Sequence, residues 1–77
     1  MALKEREGRD TLARRIRELR LARGWAQDRL AEESGLHRTY IGAIERSEHN
    51  VGIDTIAKLA NALKISLKDL FDESKSK

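Results

Sequence analysis

No cysteine and no proline occur in this chain of 77 residues, and Trp, Tyr, Phe and Met appear once each. Without cysteine there is neither a disulfide nor a cysteine-based metal site. So few aromatic rings make no base-stacking platform of the kind that grips single-stranded RNA. There are only two histidines, no glycine-rich phosphate loop, and no carboxylate pair that the sequence gathers in a pocket. Enzyme chemistry therefore has no support, and no metal, cofactor or small-molecule ligand is implied. No apolar run approaches the roughly 18 residues of a membrane span. The charged start "MALKEREGRD" does not resemble a signal peptide either. These absences describe a soluble, cytoplasmic protein. A single domain is expected over 1–77, with its core in 10–71 and a polar tail at 72–77 that frays.

What the chain does have is charge, unevenly spread. The net charge is +3, and residues 1–25 hold eight basic and four acidic side chains against three and five in residues 26–50. A positive field of that kind steers a protein toward a polyanion. A solvated Arg-rich helix face would give the same count.

Helical periodicity runs throughout, and no alternating strand pattern persists. In "DTLARRIRELRLARG", Leu12, Ile16 and Leu19 recur at spacings of four and three, which stacks them on one helix face. Asp10 or Thr11 is placed to cap the start. Gly24 permits the left-handed stop near Arg23, and Trp25 folds back onto the last turn. Gly35 followed by Leu36 repeats that grammar, closing a second helix over about 27–34 that buries Leu30 and Ala31. Two turns are not stable alone. They need a third helix, in which Ile41 and Ile44 share a face with Tyr40 while Gly35 lets the backbone turn sharply between the two. The pattern is a helix-turn-helix in an all-α fold.

On a helical wheel, the side of the third helix opposite Leu36, Tyr40, Ile41 and Ile44 carries Arg38, Thr39, Gly42 and Arg46. An Arg can fork onto guanine O6 and N7, and Thr can bond a base or touch a thymine methyl. Glycine costs about 1 kcal/mol relative to alanine inside a helix. It suits a helix lying flat against another surface, although simple packing would also tolerate it.

Residues 12–71 resemble the phage repressor and Cro family of helix-turn-helix DNA-binding domains, also called the xenobiotic-response-element family. The likeness lies in "WAQDRLAEESGL" and "IGAIER", with Gln27, Leu30, Ala31, Gly35, Leu36, Ile41, Ile44 and Glu45 in register. The resemblance implies five helices, the third entering the major groove of double-stranded DNA. It gives Gln27 a phosphate contact and Arg38 and Thr39 base edges. The stretch "HRTYIGAIERSEHN" is similar to restriction-modification controller proteins, which adds Tyr40, Arg46, His49 and Asn50 as candidate contacts. It also implies an ion pair between Arg20 and Glu45, for which arginine has the planar fork.

Three positions depart from the family pattern. Ala26 removes a capping side chain worth about 1 kcal/mol, Gly52 stands where Ser or Thr is common, and His37 replaces a small polar cap. A protonated His37 would there reach a phosphate. In "GIDTIAKLANALKISLKDLF" the apolar stripe of a fourth helix is broad, and Ser66 with Asp69 makes a capping box for a short fifth. Ile65, Leu67 and Phe71 are the expected homodimer contact, since surplus apolar surface marks association. The expected function is a transcriptional regulator binding, as a homodimer, a two-fold-related operator. The alternative is an antitoxin-type module that binds a protein partner and its own promoter. The short ends of this chain favour the stand-alone regulator.

Overall fold

The computed structural model describes residues 5–72, with side chains from residue 7. The five expected helices are present, as α1 (Glu5–Ala22), α2 (Gln27–Ser34), α3 (Arg38–Glu45), α4 (Ile53–Leu63) and α5 (Leu67–Leu70). Among the described residues there is no strand. Ile16, Leu30, Ile41, Leu59, Leu63 and Leu70 lose all contact with solvent. Each such side chain contributes about 1.5–3 kcal/mol relative to an exposed one. Leu12 and Ile44 complete the centre, and Leu19, Trp25, Leu36, Tyr40 and Val51 pack around it. All five helices therefore share one core, and the two-turn helices α2 and α3 are held by it.

Gly24 and Gly35 adopt left-handed conformations, at φ 70° and 76°. The Trp25 amide donates back to the Arg20 carbonyl and the Gly35 amide to that of Ala31. Each glycine thus stops a helix and satisfies one of its last carbonyls. The capping box of α5 forms, the Asp69 amide donating to Ser66 Oγ at 3.0 Å.

One expectation fails here. Neither Asp10 nor Thr11 caps α1, because the helix already runs through Glu5 and both lie inside it. The Asp10 carboxylate instead accepts a hydrogen bond from the Ser47 hydroxyl, tying α1 to the loop after α3. Of the expected association residues, Ile65 packs partly buried against the core. Leu67 and Phe71 are more exposed, at 39% and 38%. Of the tail expected to fray, Asp72 closes a turn onto the Asp69 carbonyl, and residues 73–77 lie outside the described residues.

Arg15, in the charged stretch of α1, is buried, with 2% of its surface exposed. Its Nε donates to the Leu70 carbonyl at 2.7 Å and one Nη to that of Asp69 at 2.8 Å. These carbonyls end a one-turn helix, and that of Asp69 also accepts the Asp72 amide. A guanidinium from α1 therefore fastens α5.

Candidate nucleic-acid interface

α3 turns Ile41, Ala43 and Ile44 inward and leaves Arg38 and Thr39 exposed on its first turn. Gln27, the first residue of α2, reaches the same surface. Its Nε2 donates to Glu45 Oε1 at 3.1 Å. Glu45 is in turn gripped by Arg20, whose Nε and one Nη donate to the two carboxylate oxygens at 2.7 and 2.9 Å. The other Nη of Arg20 donates to the Trp25 carbonyl at 2.7 Å. Both side chains are nearly buried, at 9% and 4% exposure. The hydrogen bonds to Glu45 raise the Arg20 pKa above its ordinary value, so the guanidinium stays charged. A polar chain thus runs from α1 through Glu45 to Gln27 at the surface, and it fixes where the Gln27 amide sits.

Gly42 differs from the expected bare backbone, because it is buried. A Cβ built there would lie 3.1 Å from an Arg46 Nη and 3.6 Å from Gln27 Oε1. The wheel already set Arg46 on the same side four residues on, but it could not show Gln27, which comes from α2. Gly42 makes room for them, and they form the surface above it. Arg46 is also engaged by Glu48, its Nε and an Nη donating at 2.9 and 3.2 Å. That bond is the first cause that raises the Arg46 pKa and lowers that of Glu48 below its ordinary value.

His37 does cap α3, contrary to expectation. Its Nδ1 accepts the Thr39 amide at 3.0 Å. A nitrogen that accepts carries no proton, so this geometry belongs to a neutral ring with Nε2–H turned away. The protonated contact expected for His37 would cost that cap. No side chain caps α2, as Ala26 implied.

Tyr40 packs its ring partly against the core and edge-on to His49, with centroids 5.7 Å apart. His49 is thereby placed in the exposed loop beside α3. Asn50 is grouped instead with Gly8, Arg9, Leu12, Val51, Ile56 and Phe71 around an open groove. The structure does not bring it to Arg38 and Thr39.

The basic surplus of the first third is largely absorbed. Arg15 and Arg20 are buried in the bonds described, and Arg23 donates to the carbonyls of Leu19 and Leu63 at 2.9 and 2.6 Å. Arg14 and Arg17 line a groove with Arg46, but Asp10, Glu18 and Glu45 line it too. Formal charge therefore overstated the positive face. Sequence reasoning missed Asp28, whose Oδ1 lies 3.3 Å from Arg38 Nε across the gap between α2 and α3. Only the pairing of two helices in space reveals that contact.

No described helix is long and apolar enough to cross a membrane, and no metal-binding cluster occurs among the described residues. Comparison with known proteins agrees with the geometry. The control protein C.SmaI of Serratia marcescens is 47% identical over 62 residues, spanning 80% of this chain and 74% of its own. The crystal structure of the restriction-modification controller protein C.AhdI from Aeromonas hydrophila superposes with a TM-score of 0.80 at 45% identity, over 84% of this chain and 98% of that one. The controller protein C.Esp1396I, crystallised as a tetramer in complex with its natural 35 base-pair operator, superposes with a TM-score of 0.78 at 33% identity, over 83% and 84% of the chains. The helix-turn-helix family model matches residues 16–70, most of the sequence, and the chain belongs to that family.

Proposed function

We propose that this protein is a sequence-specific, DNA-binding transcriptional regulator of the restriction-modification controller kind, acting in the cytoplasm as a homodimer on a two-fold-related operator. The observation that carries this reading is the outward first turn of α3, with Arg38 and Thr39 exposed beside a Gln27 amide anchored through Glu45 to Arg20. Arg38 and Thr39 supply donors for base edges, and Gln27 and Arg46 flank them for phosphates. The C.Esp1396I complex supports it from outside.

One α3 reads only a few base pairs, too few to stand out among the roughly 10⁶ or more competing sites of a genome. A second copy related by two-fold symmetry doubles the reading, with half-sites about 34 Å apart. Leu67 and Phe71, exposed at the α5 end, are the residues proposed for that contact. The chemistry needs no cofactor, since every proposed contact is a side-chain donor.

Selection from random duplexes, with sedimentation of the free protein, tests the reading. The expected product is an inverted repeat with half-sites one helical turn apart, bound by a dimer. Arg38→Ala is expected to lose about 1–3 kcal/mol of discrimination at one base pair per half-site. A strictly monomeric protein that enriches no sequence would overturn the proposal.

A further inference from the structure

We propose that Asp28 is a specificity-determining residue, which positions the Arg38 guanidinium so that one edge of it faces the bases. The proposal rests on the reading of Arg38 as a base contact. Arg38 Nε meets Asp28 Oδ1 at 3.3 Å, and both side chains are 68% exposed. An ion pair so open to water adds little to folding. What it does is restrict where a long, flexible side chain points.

Guanidinium offers two edges that can fork, one formed by Nε and an Nη, the other by the two Nη groups. With Nε the guanidinium atom that lies nearest Asp28, the edge of two Nη groups is the one left for another partner. Guanine presents O6 and N7 as paired acceptors that such an edge matches. A phosphate presents paired oxygens as well and carries no sequence information. Asp28 discriminates between the two partners. Its negative charge repels phosphate oxygens, while guanine, being neutral, meets no such penalty. The carboxylate therefore makes Arg38 a poorer general anion binder and a better reader of one base.

The test uses Asp28→Asn, Arg38→Ala and the double variant, with competition binding to the selected duplex and to versions altered at the base pair that Arg38 reads. Asp28→Asn is expected to bind all duplexes several-fold more tightly, because a negative charge is gone. Its preference for the correct base pair is expected to fall at least fivefold. In the Arg38→Ala background, Asp28→Asn is expected to leave the remaining preference unchanged, and thermal unfolding of all three variants reports that the fold is kept. Tighter binding by one common factor, with the preference intact, would overturn the proposal and make Asp28 a plain charge. Equal loss of preference with and without Arg38 would overturn it too, by showing a displaced α2. If Arg38→Ala itself leaves the preference intact, the reading of Arg38 fails and this proposal falls with it. A silent Asp28→Asn beside a damaging Arg38→Ala sinks this proposal alone.

Discussion

Arginine meets a carboxylate on both sides of α3, with opposite consequences. Behind the helix, Arg20 and Glu45 form a two-bond fork at 9% and 4% exposure, and every polar group of the guanidinium is bonded. In front, Arg38 and Asp28 make one contact at 68% exposure, while Arg46 and Glu48 stand 59% and 52% exposed. The chemistry is identical and the dielectric surroundings differ. A pair shielded from water cannot lose one member cheaply, whereas an exposed pair adds little to folding and leaves its remaining donors open to a further partner. One side of α3 is fixed to the fold, and the other keeps donors at the surface.

The largest expected effect lies behind the helix. Glu45→Ala leaves the Arg20 charge stranded at the core edge and is expected to cost about 3 kcal/mol of stability in urea unfolding. Arg20→Ala is expected to be similar, and the double variant to show a coupling energy above about 1 kcal/mol. Strict additivity would abolish the distinction between the two sides.

A smaller effect tests the front. Gly42→Ala places a methyl group 3.1 Å from the flexible end of Arg46, which must move, and in ordinary contact with Gln27 Oε1 at 3.6 Å. Thermal stability is expected to hold or rise by up to about 1 kcal/mol, because alanine is the better helix former. Affinity for the selected duplex is expected to drop, since the moved Arg46 is a proposed phosphate contact. Unaltered affinity would show that the position of Arg46 does not matter for binding.

The smallest effect concerns pH. Glu48 has its carboxyl lowered, first by the hydrogen bond from Arg46. A lowered folded value means that the contribution of this group is complete at neutral pH. It is lost only as pH falls below the ordinary carboxylate range and through the lowered value. Arg46→Ala is therefore expected to return the Glu48 titration upward, followed by NMR, and to remove that contribution near pH 7, a small loss for so exposed a pair. A Glu48 that titrates identically in both proteins would show that the front pair does not persist in solution.

Sequence alone carried the architecture because its signals are local. Leu12, Ile16 and Leu19 mark a face, and Gly24 and Gly35 mark stops, within a few residues of what they control. The failures are the contacts that no window contains. Asp10 has the side chain of a cap, but its bond goes to Ser47. His37 lacks the hydroxyl of the usual cap, yet a ring nitrogen serves as the acceptor. Arg15 sits among charged neighbours in "ARRIREL", and nothing there announces a guanidinium aimed at carbonyls 54 and 55 positions later. In the candidate interface, the exposure of Arg38 and Thr39 and the nearness of Arg46 to Gly42 were legible from the wheel, whereas the Gln27 cover over Gly42 and the Asp28 contact arise only when α2 and α3 are set side by side.

The bonds from Arg15 also set an order of events. α5 is one turn long and has no stability of its own, so its shape depends on a side chain near the opposite end of the chain. Leu67 and Phe71 become an ordered rim only once the first and last helices have met. A polypeptide still emerging from the ribosome, or one partly unfolded, has no such rim to offer a second copy. The contact proposed for Leu67 and Phe71 therefore comes late: docking of α5 onto α1 precedes any pairing of two copies through it.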